Sequence, residues 1–369
     1  MTSHYDFYIG NYNTKMGHVD GKAKGVVLAR LLSSGELTIS ADSVPQNVGT
    51  NPTYVHYSSS NQILYVVNEC AEGRVAAYKE TSSAGTLSLV SEQSSKGSDP
   101  CYIELFGSSA AGELLLVANY SSGSTVCFRV DSDGTLSEHG FYQHEFGGTG
   151  PNAARQEGAH AHMARGCGKG QDRILVPDLG NDEVFSFQIQ ESSLTKIGAF
   201  RLNAGDGPRH LEFHPSRNFA YVVAELSCTV TVCRCDPSSG ELTEKVQVVS
   251  TLPDGFENSD GSNTCAHMLI HPSGKFLYVS NRGGGDHSIS LFLISEDGMK
   301  LDFVPQSGAP GTGELVPRAF NITPDGVWMV VAYQNSDKLI SYKIDQNDGT
   351  MTTSHSLSTP TPVCISWRI

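Results

Sequence analysis

Hydrophobic and polar residues alternate along most of this chain with the two-residue period of a β-strand. Val126, Phe128 and Val130 show the alternation, and a polar turn containing Gly134 follows them. A run of this kind, a short polar turn and the start of a second run predict a β-hairpin. Seven such segments occur, and their turn positions recur every 48 to 58 residues, at Gly35, Gly85, Gly134, Ser192, Gly240, Gly298 and Gly349. A fixed period of this length is typical of a solenoid or a propeller.

A second repeated unit precedes the hairpins and adds two more strands. A short run and a turn lead into a β-branched and aromatic run, as in residues 211–226 (LEFHPSRNFAYVVAEL), 268–282 (MLIHPSGKFLYVSNR) and 320–333 (FNITPDGVWMVVAY). Two runs and a hairpin give four strands per unit, which is one propeller blade. An open stack of hairpins would need caps at both ends, whereas a ring closes on itself, so the repeats favour a propeller.

The two ends of the chain supply complementary parts of one blade. Residues 362–369 (PVCISWRI) resemble the first strand of a blade but lack the other three strands. The segments YDFYIG and GVVLARLL near the N-terminus, with the turn that follows, supply those three. We therefore predict an all-β, seven-bladed β-propeller, closed by pairing of the N- and C-terminal strands, with residues 1–369 forming a single domain. Blades are numbered one to seven in chain order, and blade one begins near Thr53.

Composition agrees with this architecture and narrows the classes of function. Of 369 residues, 38% are hydrophobic, only 17% are charged and 38 are glycines, which suits a turn-rich all-β protein. The net charge of −14 argues against nucleic acid or an anionic membrane as partner, because both need a basic surface. A small anionic substrate is still compatible, because screening over about 8 Å lets a local group of arginines override the overall charge.

The sequence also carries an expectation about location. It shows no apolar stretch of transmembrane length and no signal-peptide pattern. Its nine cysteines are odd in number and have no spacing typical of metal sites or disulfide frameworks. We expect a cytoplasmic protein with reduced thiols, no metal and no cofactor, and the sequence leaves its oligomeric state open.

The repeat register predicts which residues face the central channel. The first strand of each blade lines the channel, so residues at its start share one cavity. Aligning the blades on the apolar residue before each turn gives a first ring: Thr53, Cys101, His162, Arg209, Ala266, Arg318 and Val363. A second ring falls at the end of the next strand: Glu69, Tyr120, Leu179, Glu225, Arg282 and Tyr333. Polar and ionisable residues are concentrated in the neighbouring blades three to six, which predicts a functional site there.

Each candidate also has a structural interpretation. Arg209 can bond loop carbonyls, with Glu225 as its salt-bridge partner, and Arg282 can be a solvated turn residue before three glycines. His160 and His162 have a spacing that can bind Zn²⁺, but a lone His-x-His is a weak signal. Ordinary hydrogen-bonded histidines are the favoured interpretation of that pair.

Three segments of the sequence resemble those of a known protein family. GAHAHM (residues 158–163), GPRHLEFHPSRNFAYVVAEL (207–226) and HPSGKFLYVSNRGGGDHSISLF (271–292) resemble the propeller lactonase family. Its members include bacterial 6-phosphogluconolactonases of propeller type and fungal 3-carboxy-cis,cis-muconate lactonising enzymes, and the resemblance covers essentially the whole chain. It implies a site of one His, two Arg and one Glu, as proposed for the muconate enzymes. Matched motif to motif, these residues are His162, Arg209, Arg282 and Glu225.

The chain departs from the family pattern at one position and carries two long insertions. Cys265-Ala266-His267 stands where many members have an acidic Ser-Ala-Glu-like string, so substrate or pH preference is open. The insertions, around residues 154–158 and 253–263, are expected to overhang the cavity and narrow its entrance. The residues expected to bind substrate are Arg318, His267, Glu69 and Tyr120.

The resemblance and the residue types predict metal-independent hydrolysis of an anionic sugar lactone. Arg209 and Arg282 can hold a carboxylate or phosphate with paired N–H donors, or one of them can stabilise an oxyanion. His162 can take a proton from water, and Glu225 can orient that imidazole or act as the base itself.

Three alternatives stay open at this stage. The first is that the same cavity catalyses the cycloisomerisation of a cis,cis-muconate, which is a dicarboxylate, to a muconolactone. A metal-dependent lactonase would use His160, His162 and an acid. A binding scaffold without catalysis is the third, although the WD and GH dipeptides of scaffold propellers are absent.

Overall fold

Seven four-stranded antiparallel sheets follow one another along the chain, which confirms the seven-bladed all-β propeller. The computed structural model describes residues 4–39, 43–82, 84–167, 172–216, 218–305 and 315–369. A two-stranded hairpin lies between the first strands. Among the described segments we find no helix with the length and apolar character that crossing a membrane requires.

The strands of the N-terminal segment and of blades one to three are short and regular. The N-terminal segment has His4–Asn11 (β1), Lys15–Met16 (β2), Val19–Asp20 (β3), Val27–Leu32 (β4) and Leu37–Ile39 (β5). Blade one has Tyr54–Ser58 (β6), Ile63–Asn68 (β7), Arg74–Glu80 (β8) and Leu87–Ser94 (β9). Blade two has Pro100–Ser108 (β10), Gly112–Asn119 (β11), Ser124–Val130 (β12) and Leu136–Gln143 (β13). Blade three has Arg165–Gly166 (β14), Arg173–Asp178 (β15), Glu183–Ile189 (β16) and Leu194–Arg201 (β17).

Blades four to six repeat the same order, and the last strand returns to the N-terminal segment. Blade four has Pro208–Phe213 (β18), Phe219–Ala224 (β19), Thr229–Cys235 (β20) and Leu242–Ser250 (β21). Blade five has Asn263–Ile270 (β22), Phe276–Gly283 (β23), Ile289–Ile294 (β24) and Leu301–Val304 (β25). Blade six has Pro317–Ile322 (β26), Trp328–Tyr333 (β27), the 3₁₀ turn Gln334–Ser336, Lys338–Ile344 (β28) and Met351–Ser358 (β29). The final strand is Pro362–Trp367 (β30).

Blade seven is shared between the two ends of the chain, as predicted. Its strand order is β30-β1-β4-β5, so the last strand of the chain is the innermost strand of this blade. Phe7 pairs with Trp367 and Ile9 with Ile365. These backbone hydrogen bonds join the first and last strands of the chain within one blade and so close the ring.

Burial explains why the hydrophobic pattern differs between strands of one blade. Every residue of β18 and β19 is buried, because these inner strands have a neighbouring blade on both faces. In the outer strand β21 only the first residue, Leu242, is buried, and the other residues are exposed or partly exposed. Continuous apolar runs therefore mark inner strands, and polar-rich runs mark the rim.

The hairpin glycines fit each blade against the preceding one. Gly134 has φ 91°, in the left-handed region that favours glycine. A Cβ at this position would lie 2.0 Å from Cδ1 of Ile63 in blade one. In the same way the Tyr221 hydroxyl of blade four donates a 3.0 Å hydrogen bond to the carbonyl of turn residue Gly298. The repeated glycine is thus required by backbone conformation and by close contact between blades.

The inner strands share an irregularity where they begin. In blades two, four, six and seven the pairing with the next strand skips one residue, which identifies Cys101, Arg209, Arg318 and Val363 as bulge positions. Blade five shows a similar skip at Ala266 and His267. A bulge bends a strand and redirects a side chain, and bulges are common beside functional sites. All of these positions except His267 belong to the first predicted ring.

Candidate functional site

A cavity of about 610 Å³ opens at the end of the channel where the inner strands begin, and we call it the upper cavity. It brings together most of the ionisable residues predicted from the two rings. The predicted site residues that line it are Glu69, Tyr120, His162, Glu225, Arg282 and Arg318. These side chains come from blades one, two, three, four, five and six, so the site exists only in the closed ring.

Glu225 is the centre of an arginine cluster. It follows the end of β19, and only 1% of its side chain is exposed. Its Oε1 accepts hydrogen bonds from Nη2 of Arg155 at 2.8 Å and Nη2 of Arg282 at 3.1 Å. Its Oε2 lies 3.0 Å from Nε of Arg209. Burial alone would raise the pKa of this carboxyl, but Arg282, Arg155 and Arg209 outweigh it and hold the pKa far below the usual range.

Arg209 lies beneath the floor of the upper cavity rather than in its wall. Its Nη1 donates to the carbonyl oxygen of Ala266 and lies 3.3 Å from Nε2 of His210. Burial and the nearby charge of Arg282 lower the pKa of Arg209 to about 10. The sequence had paired Arg209 with Arg282 as a clamp for an anionic group. In the structure the donors of Arg209 are instead directed to protein acceptors, because the bulge at this residue places it within the channel.

Glu69 organises the opposite wall. Its carboxylate accepts hydrogen bonds from the Tyr12 hydroxyl and from Oγ1 of Thr53, both at 2.6 Å. Nη2 of Arg318 lies 3.7 Å from Glu69, and Nη1 of Arg318 donates to Oε1 of Gln334 at 3.1 Å. The guanidinium also stacks over the Tyr12 ring, 5.0 Å from its centroid. Arg318 is therefore fixed in position and keeps part of its surface in the cavity.

His162 is a buried, neutral imidazole at the cavity wall. Its Nδ1 lies 3.6 Å from Sγ of Cys101, and its ring packs edge-on against Tyr120 and His210. Burial first, and the charge of Arg209 second, lower the pKa of His162 well below 6.5. Among the described residues Nε2 of His162 has no hydrogen-bond partner, so this nitrogen is available to a ligand.

The neighbouring His160 is held in place by other contacts. Its ring stacks on Tyr120 with centroids 4.5 Å apart, Nδ1 lies 3.1 Å from the Tyr120 carbonyl, and Nε2 lies 3.2 Å from Glu157. No group of three or more His, Cys, Asp or Glu side chains in the described part of the chain has the arrangement of a metal site. The geometry of this pair matches hydrogen-bonded histidines.

His267, expected to bind substrate, lies deeper in the channel. Its Nδ1 is 3.2 Å from Nδ1 of His210, and burial together with the charge of Arg209 lowers its pKa to about 3. Two second-ring residues also lie outside the upper cavity. Leu179 is fully buried, and the Tyr333 hydroxyl lies 2.8 Å from that of Tyr342.

The opposite end of the channel holds a smaller cavity of about 300 Å³, which we call the lower cavity. Later residues of the inner strands line it, including His56, Glu104, Arg165 and Glu212. Arg165 donates to Glu104 at 2.8 Å and to Glu212 at 2.9 Å. Here one arginine faces two carboxylates.

Sequence reasoning missed two ionisable residues of the upper cavity. Arg155 lies on the insertion between blades two and three, and His18 lies in the turn between β2 and β3. Burial and the charge of Arg318 lower the pKa of His18 below 6.5. Both residues stand outside the blade repeat, so the register could not assign them a ring position. The one signal was the insertion around residues 154–158, which was expected to narrow the entrance.

Comparisons with known proteins agree with this architecture. The family described as "Lactonase, 7-bladed beta-propeller" matches residues 6–367. A 6-phosphogluconolactonase of Bacillus subtilis is 32% identical over 366 residues, covering 98% of each chain. A 6-phosphogluconolactonase of Formosa agariphila is 30% identical over 350 residues, covering 93% of this chain and 89% of that protein.

Solved structures give the same result. The periplasmic gluconolactonase of Pseudomonas aeruginosa superposes with a TM-score of 0.85 at 27% identity, over 99% of each chain. A protein from Lactobacillus plantarum superposes with a TM-score of 0.84 at 27% identity, also over 99% of each chain. Similarity therefore extends over the whole ring and includes the strands that build the upper cavity.

Proposed function

The chain belongs to the seven-bladed β-propeller lactonase family, and we propose that it hydrolyses the ring ester of a phosphorylated sugar lactone in the upper cavity. The substrate that best fits this cavity is 6-phosphoglucono-δ-lactone. The Bacillus and Formosa relatives are named for the phosphorylated compound and the Pseudomonas protein for gluconolactone. The choice between the two rests on the charge of the cavity.

That charge is the observation that carries the proposal. Four arginines, Arg155, Arg209, Arg282 and Arg318, surround two carboxylates, Glu69 and Glu225. These six side chains leave two positive charges uncompensated, and the adjacent His18 and His162 are neutral because their pKa values are lowered. A phosphate monoester carries about −1.5 to −2 charges at neutral pH. Such a ligand balances the cavity, although the whole chain carries −14.

The cavity also supplies donors for the reacting carbonyl. Arg282 uses one Nη2 hydrogen bond for Glu225, and its other N–H groups have no partner among the described residues. Arg318, on the other wall, is fixed by Gln334 and Glu69. Guanidinium donors at the carbonyl oxygen stabilise the negative charge that develops there when the carbonyl is attacked.

His162 supplies the proton transfer. Water attacks the lactone carbonyl carbon, and Nε2 of His162 takes the proton that the water releases. The bond between the carbonyl carbon and the ring oxygen then breaks, and the same proton passes from His162 to that oxygen. The products are a hydroxyl group and a carboxylic acid, which releases its proton to solvent at neutral pH to become a carboxylate.

Glu225 is better suited to holding arginines than to acting as a base. Its pKa lies far below neutrality because of Arg282, Arg155 and Arg209, so its ionised form has little affinity for a proton. Its contacts run to those guanidinium groups rather than to the imidazole. We assign Glu225 the role of positioning residue.

The test is hydrolysis of freshly generated 6-phosphoglucono-δ-lactone, measured above its spontaneous rate with and without EDTA. We expect acceleration that EDTA leaves unchanged. Loss of activity in EDTA would contradict the metal-independent mechanism and favour His160 and His162 as metal ligands. No acceleration at all would overturn the proposed function and favour a binding scaffold. Muconate cycloisomerisation, the alternative from the sequence, has no support in the relatives named above and is not proposed.

We further propose a cytoplasmic location. No disulfide joins any of the nine cysteines, and all except Cys70 are buried. Reduced thiols in this number suit a reducing compartment. Cell fractionation tests the proposal, and recovery of the protein outside the cytoplasm would contradict it.

A further inference from the structure

Arg155 is positioned by a loop that belongs to no blade. Residues 144–160 connect β13 to blade three, and the backbone N–H groups of Arg155 and Gln156 both donate to the carbonyl of Asn152, at 3.0 and 2.8 Å. Gln156 is fully buried, and its Nε2 donates to the Leu179 carbonyl at 3.0 Å. This buried amide fixes the loop to blade three, and the loop in turn holds Arg155 in place over the upper cavity.

The side chain of Arg155 reaches two residues of the cavity wall. Its Nη2 donates to the Tyr120 hydroxyl at 2.9 Å and to Oε1 of Glu225 at 2.8 Å. Nη2 of Arg282 binds the same Glu225 oxygen. The remaining donors of Arg155, Nε and Nη1, have no partner among the described residues. Two guanidinium groups thus converge on one carboxylate oxygen and keep unused donors.

The exposed fraction of each arginine side chain indicates how deep it lies in the upper cavity. The exposed fraction of the side chain rises from 12% for Arg318 to 18% for Arg282 and 37% for Arg155. The buried His162, which faces the reacting carbonyl in the proposed reaction, lies at the inner end of this series. In 6-phosphoglucono-δ-lactone the carbonyl carbon and the carbon that carries the phosphorylated CH₂ arm are both bonded to the ring oxygen, so the phosphate lies on a short arm beside the carbonyl. His162 and Arg155 both contact Tyr120, so a lactone with its carbonyl at His162 can direct this arm to Arg155 at the entrance.

We propose that Arg155 is a specificity-determining residue that binds the terminal phosphate of the substrate and so selects phosphorylated over unphosphorylated sugar lactones. This assignment rests on the proposed lactonase function for the orientation of the substrate. A charged guanidinium at the entrance, with Nε and Nη1 free to donate, matches a phosphate better than the hydroxyl of an unphosphorylated sugar. The uncompensated positive charge of the cavity also favours binding of the phosphorylated lactone.

The test measures binding and turnover separately. Isothermal titration of the wild-type protein with 6-phosphogluconate and with gluconate reports the contribution of the phosphate without any reaction. We expect Arg155→Gln to weaken 6-phosphogluconate binding roughly 10- to 100-fold, as loss of a charge-assisted contact does. Gluconate binding should change less than about twofold, because gluconate does not reach Arg155. Arg155→Lys, which keeps the charge but loses the planar, fixed donors of the guanidinium, should fall between the two.

Kinetics separate a binding role from a structural one. With 6-phosphoglucono-δ-lactone, Arg155→Gln should raise KM and leave kcat nearly constant, and with glucono-δ-lactone both constants should be unchanged. Arg201→Gln is the control, because Arg201 is an exposed arginine paired with Glu183 on the outer strand of blade three. Thermal melting checks that each variant is folded.

The outcomes distinguish this inference from the proposed function. Phosphate-dependent binding that needs Arg155, in a protein without lactonase activity, would overturn the proposed function and keep the inference. Lactonase activity with equal losses on both lactones in Arg155→Gln would overturn the inference and keep the function. Wild-type protein that binds 6-phosphogluconate no better than gluconate would also overturn the inference.

Discussion

The two ends of the central channel use the same ionisable residue types in opposite proportions. Four arginines, including Arg209 beneath the cavity floor, lie around Glu69 and Glu225 at the upper cavity, whereas among the described residues of the lower cavity Arg165 alone faces Glu104 and Glu212. Most of these side chains lie on blade strands or directly after them, and Arg155, on a loop, is the exception. The difference in local charge, positive at one end and negative at the other, therefore distinguishes an anion site from a structural ion-pair group.

This comparison also explains why the overall charge of −14 is a poor guide to the substrate. Exposed charges more than about 8 Å away are screened at physiological salt, but charges inside a concave, partly dry site act directly on a ligand. The proportion of arginine to carboxylate within one cavity is the relevant quantity. The predictions below compare a residue of the upper cavity with its counterpart in the lower cavity.

The largest difference is expected for the two histidines. His162→Gln should lower kcat for 6-phosphoglucono-δ-lactone by about 10² to 10⁴-fold, as loss of general base catalysis does. His56→Gln, at the lower cavity, should leave turnover unchanged. Stopped-flow measurement against the spontaneous rate gives both values. Equal activity of the two variants would remove His162 from the mechanism and make the cavities equivalent.

The arginines should show the next largest contrast. Arg282→Ala removes donors to the developing oxyanion and should lower kcat/KM by about 10²-fold. Arg165→Ala removes the arginine that pairs with both Glu104 and Glu212, so it should reduce stability while the activity of the folded protein persists. Activity per folded molecule, with melting curves for both variants, is the measurement. A larger loss of activity in Arg165→Ala would show that the positive excess is not what defines the site.

Removal of one carboxylate from each cavity compares their contributions to stability. Glu225→Gln leaves the guanidinium groups of Arg155, Arg209 and Arg282 without their common counter-ion, and should lower the free energy of unfolding by about 3 kcal/mol or more. Glu104→Gln leaves Arg165 paired with Glu212 and should cost only about 1 kcal/mol. Urea unfolding curves measure both.

Added 6-phosphogluconate gives this comparison an internal control. A ligand that binds only the folded protein raises its stability, and an anion that replaces the Glu225 charge should restore part of the loss in Glu225→Gln. Glu104→Gln keeps the upper cavity, so the ligand should stabilise this variant and the wild type equally, and the difference between those two should not change. Equal destabilisation of the two variants, with no effect of the ligand, would contradict the distinction between the cavities.

The fold could be predicted from the sequence because it repeats. Turn glycines such as Gly134 recur with a fixed period and meet the preceding blade, and the incomplete last unit at residues 362–369 matched the missing strand of the first. Inner strands, buried on both faces, appeared as continuous apolar runs. Each of these signals is local in the sequence, and the closed ring consists of repeated copies of the same local pattern.

The site could be predicted only in part. The repeat register gave ring positions, and it selected Glu225, Arg282 and Arg318, which line the upper cavity. It could not show that Arg209 stands at a bulge and contacts the carbonyl of Ala266, because a bulge depends on pairing with a second strand. It could not find Arg155, because a loop between blades has no register. The bulge at Arg209 becomes visible only from strand pairing, and Arg155 lies outside the repeat, so the periodicity of the sequence reveals neither contact.

The smallest expected effect concerns the pH dependence of kcat/KM. Burial and Arg209 keep the pKa of His162 well below 6.5, so the base is neutral, and activity should be flat from about pH 6.5 to 8 and fall only at lower pH. Arg209→Met removes one cause and should move this acidic limb to higher pH. The move should stay under about one unit, because burial, the larger cause, persists. Arg165→Met, in the lower cavity, should leave the limb in place, and both variants use one substrate, so ionisation of its phosphate cancels. If the acidic limb of the kcat/KM profile does not move in Arg209→Met, the group that titrates in the free enzyme is not His162. The positive charge of Arg209 would then affect substrate binding alone.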